Sequence, residues 1–331
     1  MVNSCSDYLQ QPLFNFRAMV PHSSSALRLC RSFLATRLRW RSVPTHSKFD
    51  RLGHRKYSIA LTRDVPLTFA DALSSQPDDQ VSVKKARKEH HEYTSALRAI
   101  LPTLQLPASE NFPDCSFVED AAVVIGKQAV INRMGASSRQ GEVDAVKKAL
   151  VELGINVTDM REESLEATCD GGDCLFPVSS SYGGRHLFVG LSGRTNEAGV
   201  EVLRQVFEGG KSGVEVIAVP LVNGALHLKS VVSHVDEKTI LAPRGPLGDE
   251  TLEAMRVKDR GYFVIRLPDS AACNVVAING IISAPHTKCE ETKIIFEREM
   301  DERGLKIQYI DATEFAKKDG ALTCKSILLD I

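Results

Sequence analysis

No stretch of this sequence holds the roughly 20 consecutive apolar residues that a membrane-spanning helix needs, so the chain is not expected to span a bilayer. None of its eight cysteines (Cys5, Cys30, Cys115, Cys169, Cys174, Cys273, Cys289, Cys324) stands in a Cys-x-x-Cys pair. That argues against a structural zinc cluster, and a chain of 331 residues does not need disulfide staples. Reduced thiols in a reducing compartment are the expectation. Charge of one sign is also lacking: the formal net charge is -1, so nothing draws the chain as a whole toward nucleic acid or anionic lipid. What remains is a chain of ordinary composition, 43% hydrophobic and 25% charged, whose expected partners are small molecules. Either a monomer or a homodimer fits.

Acids are scarce at one end. Residues 1–56 carry eight arginines and two lysines against only Asp7 and Asp50, with many serines. An Arg-rich, Ser-rich, acid-poor leader has the composition of an organellar transit peptide, and a mitochondrial address is expected, with a cytoplasmic location as the alternative. Residues 57–331 read as the catalytic domain.

After Tyr57 the texture changes to short strands in pairs, with an amphipathic helix after most pairs. "YSIALTR" (57–63), "CSFVEDAAVVIGKQAVINR" (115–133), "CDGGDCLFPV" with "RHLFVGLS", "LHLKSVVSHVDEKTILAP" (226–243), "AACNVVAINGIISAP" (271–285) and "TCKSILL" (323–329) carry the strands. Asn279-Gly280 is a strong hairpin signal. Helices are expected over 81–100, 142–153, 194–207, 248–257 and 290–304. The pair starts near Asp120, Asp173, Leu228, Cys273 and Cys324 are spaced 53, 55, 45 and 51 residues apart. A period near 50 marks a repeated supersecondary unit. Five such units fit, and the last strand must pair with the first unit to close a ring, which removes exposed sheet edges. Equivalent strand ends then converge on one axis, where Glu119, Asp120, Asp170, Asp173, His227 and Cys324 gather.

Taken singly, these residues are unremarkable. Asp114, Glu119 and Asp120 in "PDCSFVED" lie beside an apolar segment, where acids need a partner such as a cationic ligand. The glycines of "CDGGD" (169–173) allow a tight turn and close approach of backbones. His227 opens a repeat beside a strand, and Cys324 stands on the terminal strand. Arg139 in "GASSRQGE" and Arg194 in "LSGRTNE" each follow a strand and could grip a carboxylate. Together, a cysteine, a histidine and a carboxylate supply a nucleophile, an acid/base and a group to orient it.

"FPDCSFVEDAAVV", "ASSRQGEVD", "DGGDCLF", "HLFVGLSGRTN", "LHLKS" and "DGALTCKS" resemble, in this order, the dimethylarginine dimethylaminohydrolases, from about Tyr57 to Leu329. The resemblance implies an α/β pentein fold, a closed five-bladed propeller of pseudo-fivefold ββαβ units. It implies that Cys324 attacks the guanidinium carbon of an Nω-methylated arginine, that His227 protonates the departing amine and then activates water, and that Asp170 orients His227. Asp114, Glu119 and Asp120 would hold the guanidinium, and Arg139 and Arg194 the substrate carboxylate. The main chain of Leu73, on a lid-like loop, would meet the α-amino group, and that of Lys318 would touch the ligand. The products would be citrulline and di- or monomethylamine, formed through a covalent thiouronium. No cofactor is implied, although the soft donors Cys324 and His227 could capture an inhibitory zinc ion.

Three features depart from the family pattern. Vertebrate members carry an aliphatic residue at Lys318. Where some members have a second cysteine after the nucleophile, this chain has Lys325, which strand alternation would turn away from the site. The loop 177–184 is expected to be long and to bulge from the surface. Arginine deiminase or amidinotransferase chemistry on the same scaffold, and a pentein that only binds its ligand, are the alternatives.

Overall fold

The computed structural model describes residues 56–76, 79–177, 185–208, 213–221 and 224–331. The expected leader up to residue 55 and the expected bulge over 178–184 lie outside them. No helix among the described residues is long and apolar enough to cross a membrane.

The described chain builds five three-stranded sheets of one design. The second begins with β3 (Ala122–Ile125), which turns through Gly126-Lys127 into β4 (Gln128–Ile131) and returns by a helix to β5 (Asn156–Asp159). The middle strand β4 pairs antiparallel with β3 and parallel with β5. The same plan repeats in β6 (Cys174–Leu175), β7 (Arg185–Leu191) and β8 (Val214–Pro220). It recurs in β9 (Ser233–His234), β10 (Thr239–Pro243) and β11 (Phe263–Leu267), and in β12 (Val276–Ile278), β13 (Ile281–Pro285) and β14 (Lys306–Ile310). The remaining sheet takes its first strand from the other end of the chain. There β15 (Ile327–Leu329) pairs antiparallel with β1 (Ile59–Arg63), which pairs parallel with β2 (Thr103–Leu106). The register Ile59 opposite Leu329 is the ring closure that the repeat requires. Asn279 and Gly280 both have positive φ, 51° and 83°, the backbone of a two-residue hairpin turn matched to strand twist.

Five helices cross between the parallel strands: α1 (Val83–Arg98), α2 (Val143–Glu152), α3 (Glu197–Phe207), α4 (Pro246–Ala254) and α5 (Glu290–Glu302). Each starts where its sequence allows. Ser82 accepts from the Lys85 N–H, Asn196 accepts from the Gly199 N–H, and α4 opens on a proline. The buried stripe of α2 (Val143, Val146, Ala149, Leu150) packs with Ile131, Leu61 and Ile327, so the core crosses from one unit to the next.

One expectation is corrected. The residues that open each unit are not on strands. They lie on single 3-10 turns immediately before them: Val118–Ala121, Gly171–Asp173, Leu228–Ser230, Ala271–Cys273 and Thr323–Lys325. His227 flanks the third of these and Cys324 sits within the last. The acids and glycines there are poor strand formers, and their side chains bond to neighbouring turns instead of standing off a pleat. The alternation argument that turned Lys325 from the site therefore has no strand to act on.

Candidate active site

Five turns from five units meet at the middle of the ring, and close contact between them explains the glycines of "CDGGD". A Cβ on Gly171 would stand 2.1 Å from the Glu119 carbonyl oxygen. One on Gly172 would stand 2.6 Å from Nδ1 of His227 and 2.9 Å from Asp120 Oδ1. Real Cβ atoms do not approach so closely, so only glycine lets the turns of three successive units touch.

Hydrogen bonds then fix the charged groups. The Gly172 N–H donates to Asp120 Oδ1 at 2.8 Å, and Arg139 Nη1 donates to Asp120 Oδ2 at 2.9 Å. Asp170 accepts from the Gly135 N–H at 2.9 Å through Oδ1, while its Oδ2 lies 3.2 Å from His227 Nε2. Asp173, the second acid of the same motif, accepts from the Leu228 N–H (2.9 Å), Ser192 Oγ (2.7 Å) and Thr195 Oγ1 (2.6 Å). It thereby anchors the backbone that carries His227. Asn274 ties the next two turns together: it accepts from the Thr323 N–H at 3.1 Å and donates to the Lys229 carbonyl at 2.9 Å.

These turns floor a cavity of about 250 Å³. Nine of the ten predicted site residues line it: Leu73, Asp114, Asp120, Arg139, Asp170, Arg194, His227, Lys318 and Cys324. Phe117, Leu226 and the segments 73–75 and 318–320 complete the wall. The tenth, Glu119, does not line it. It lines a smaller cavity of about 130 Å³ among the strands and forms a 2.5 Å ion pair with Lys229. Successive residues of a 3-10 turn point about a third of a turn apart, which sends Asp120 into the larger cavity and Glu119 behind it. The larger cavity is the one where a thiol, an imidazole, acids and an open guanidinium converge.

Two details of the cavity differ from the simple pattern. Arg139 does not offer an open fork: Nε and Nη2 donate to Glu142, Nη2 also reaches the Phe117 carbonyl, and Nη1 holds Asp120. Arg194 is half-buried, and among the described residues its guanidinium makes no hydrogen bond or ion pair, acting on the Asp114 carboxylate only through its field. The Leu73 N–H donates to Asp114 Oδ1 at 3.1 Å, so the loop that bears Leu73 is fastened to an acid of the site. Ser75 bonds to Asp319 through both its N–H and its hydroxyl, at 2.6 Å each, and Ser74 Oγ donates to the Lys317 carbonyl. Sequence reasoning placed Asp173 on the axis but gave it no role in the site, and it missed Glu142 and Asn274, for which the sequence holds no signal.

Electrostatics follow from this packing. Burial pulls the His227 imidazole down, but Asp120, the Asp170 hydrogen bond and Asp173 outweigh it and lift the ring to about 9. Burial pushes Asp120 up, yet His227 and Arg139 hold it below the usual carboxylate range. Burial, then Glu119 and Asp120, push the Cys324 thiol up to about 12. At neutral pH the site thus holds a protonated imidazole, a neutral thiol and ionised acid, with the thiol partly open to the cavity.

A ring of five ββαβ units with a cysteine, a carboxylate-held histidine and buried acids on its axis defines a pentein of the amidine-hydrolysing class. The family model described as arginine deiminase matches residues 108–278, and the chain belongs to that family. Within it, the chain is a member of the dimethylarginine dimethylaminohydrolases. It is 33% identical over 275 residues to the N(G),N(G)-dimethylarginine dimethylaminohydrolase of Streptomyces coelicolor, covering 82% of this chain and 96% of that one. It is 26% identical to the enzyme of that name from Pseudomonas aeruginosa, over 81% and 97%. A solved structure of a cysteine-to-serine mutant of the Pseudomonas aeruginosa protein complexed with citrulline superposes with a TM-score of 0.71 at 24% identity, over 83% of this chain and all of that one. The N-terminal domain of a cyanobacterial arginine dihydrolase, bound to product, gives 0.68 at 20%, over 82% and 97%, and shares the fold.

Proposed function

We propose that residues 57–331 form a catalytic domain that hydrolyses Nω,Nω-dimethyl-L-arginine, and the monomethyl form, to L-citrulline and the corresponding amine. The observation that carries this reading is the meeting, in one cavity, of the Cys324 thiol, the His227–Asp170 pair, two guanidinium-facing acids and an open arginine. The substrate's guanidinium enters between Asp114 and Asp120, while its carboxylate reaches Arg194 and the one Arg139 N–H left over from Glu142, Asp120 and Phe117. Leu73 and Lys318 contribute main-chain contacts from the covering segments, which act as a lid. Glu119, behind the turn, acts on the cation only through its field.

The charges give the order of events. A thiol held near 12 is inert in the free site, which protects it from other electrophiles. A bound guanidinium adds a cation beside the sulfur and favours the thiolate, so the thiol gives up its proton to bulk water as the substrate binds, His227 being already protonated. The Cys324 sulfur bonds to the guanidinium carbon. The protonated His227, kept charged by Asp120 and Asp170, gives its proton to the leaving nitrogen, and the carbon–nitrogen bond breaks with its electron pair going to dimethylamine. A thiouronium remains on Cys324. The now neutral His227 takes a proton from water, the hydroxide adds to the same carbon, the carbon–sulfur bond breaks with its electron pair going to sulfur, and the proton on the new carbonyl oxygen passes to the thiolate, so citrulline leaves and the thiol and charged imidazole are restored. No cofactor enters this sequence. Ligand atoms of Asp120, Asp170 and His227 lie within 4.8 Å of one another, so zinc captured there, with Cys324 near by, would inhibit by occupying the acid/base. Adding a chelator should leave the rate unchanged or raise it.

The test is direct. Cys324→Ser should form no citrulline from dimethylarginine, and mass spectrometry of the parent with a slow substrate should find the adduct on the Cys324 peptide. The family model's own name makes arginine the competitor to assay side by side: faster citrulline formation from arginine than from dimethylarginine would replace this reading with a deiminase. The leader would direct the enzyme to mitochondria, which localisation of a fusion to residues 1–56 would test.

A further inference from the structure

Two buried thiols touch at the foot of the turn that bears Asp170. Cys169 and Cys174 flank residues 170–173, and their sulfurs stand 3.7 Å apart. Both are free, and neither has a part in the proposed reaction. The two ends of the turn are held from outside. The Cys169 N–H donates to the Arg133 carbonyl at 2.9 Å, and Cys174 opens β6, in register with Val189 of β7. The turn between them has no slack. Asp170 touches His227, Asp173 accepts from the Leu228 N–H, and both glycines are pressed against neighbouring turns. The two sulfurs differ in access. Cys169 is wholly buried, whereas Cys174 lines the cavity of about 130 Å³ behind the turns, where Glu119 and Lys229 form their ion pair. Val124, Phe176, Ala277 and Leu328, which also line it, are partly exposed. A void of that size admits several waters, and so a molecule as small as hydrogen peroxide.

We propose that Cys169 and Cys174 are a modification site: a dithiol that hydrogen peroxide in the rear cavity closes to a disulfide, drawing Asp170 away from His227. The second half of this inference rests on the reading of His227 as the acid of the reaction. Cys174, the accessible sulfur, attacks one oxygen of the peroxide. The oxygen–oxygen bond breaks, leaving a sulfenic acid on Cys174 and one water. The Cys169 sulfur then attacks the Cys174 sulfur. A sulfur–sulfur bond forms, the sulfur–oxygen bond breaks with its electron pair going to oxygen, and the hydroxide takes the Cys169 proton to leave as a second water. Two thiols are oxidised and one peroxide is reduced. Closure brings the sulfurs from 3.7 Å to about 2.05 Å. Cys174 is held by the ladder between β6 and β7, so the shift falls on Cys169 and on Asp170 beside it. The Asp170–His227 contact, at 3.2 Å, is already at the long end of the hydrogen-bond range and has no length to spare.

The experiment oxidises the full chain with hydrogen peroxide while saturating citrulline shields Cys324, then removes both, alkylates one portion after denaturation for mass spectrometry and assays the other. Trypsin leaves both cysteines, and no other, in the peptide 162–185. From the oxidised parent that peptide should be two hydrogen atoms lighter and carry no alkyl group. The kcat for dimethylarginine should fall roughly 100-fold, the low end of what a positioned general acid contributes, with KM little changed. Dithiothreitol should restore both the mass and the rate. Cys174→Ala should match the reduced parent before treatment and keep its activity after it. Cys169→Ala repeats the test should the first variant fail to fold. A peptide 162–185 alkylated at both cysteines after oxidation would overturn the dithiol. A disulfide with kcat unchanged would overturn its action on Asp170, and an equal loss of activity in Cys174→Ala would do the same by assigning that loss to Cys324. Failure of the reduced parent to form citrulline would instead sink the proposed function and the switch built on it, while the mass of the peptide still decides the dithiol.

Discussion

Two consecutive units each carry an arginine between the middle strand and the helix that follows it, yet the two side chains have different fates. Arg139 in unit two is buried, with Asp120 on one side and Glu142 on the other. Arg194 in unit three follows Ser192 and Gly193, and among the described residues its guanidinium makes no hydrogen bond or ion pair. The neighbours decide. Glu142 stands three residues after Arg139 and is itself 3% exposed, so it closes the fork from behind. The equivalent reach in unit three ends at Glu197, which opens α3 at the surface. One arginine is thus part of the wall and fixes Asp120, with one N–H to spare. The other keeps its whole fork open to the cavity.

The largest effect should come from breaking the walled member. Arg139→Gln leaves two buried carboxylates without their cation, and removing one partner of a buried ion pair costs about 3–5 kcal/mol. Chemical denaturation should show that loss, with activity gone as Asp120 shifts. Arg194→Gln should instead fold normally, within about 0.5 kcal/mol of the parent. Its KM for dimethylarginine should rise on the order of 10- to 100-fold, the loss of one charge-assisted pair. Equal melting losses in the two variants would erase the distinction between wall and clamp.

A middle-sized effect belongs to the acids of "CDGGD", one of which touches the imidazole while the other holds its backbone. His227 has its pKa raised from 6.5 to about 9, so its pairing contributes stability that is fully present below pH 6.5 and lost as pH rises through about 9. The proposed mechanism uses the charged ring as its acid, so kcat/KM should fall on the alkaline side near pH 9. Asp170→Asn should move that limb down by about one unit, because a charged hydrogen-bond acceptor is lost. Asp173→Asn should lower the melting temperature more than it moves the limb, since its three bonds go to Leu228, Ser192 and Thr195. The smallest effect is expected at the lid. Ser75→Ala removes an exposed bond to Asp319, which belongs at the low end of about 0.5–1.5 kcal/mol, so kcat/KM should change by no more than about threefold.

Much of this was legible in the chain. The period near 50 predicted five units and the closure of β15 on β1, because each ββαβ unit leaves a sheet edge that only another strand can cover. The five helices were readable from their apolar stripes to within a few residues. The turns were not. "VEDA", "GGD" and "TCK" give no periodic signal of their own, and their 3-10 form depends on N–H and carboxylate groups reaching across units, as Gly172 does to Asp120 over 52 residues. Glu119 shows the consequence: a strand-based reading joined it to Asp120 as a ligand, whereas the turn sends it to Lys229.

By itself, the sequence determined the number of units, the strands and helices of each, and the placing of a thiol, an imidazole and several acids at unit starts. Local spacing and polarity are enough for that, since they act within a few residues. Only the tertiary structure decided which side of the turns each acid faces, which arginine stays open, and that the lysine beside Cys324 is enclosed by two aromatic rings. Those outcomes depend on burial and on partners scores to hundreds of residues away in the chain, and no local pattern encodes the low-dielectric surroundings that give the charges their effect.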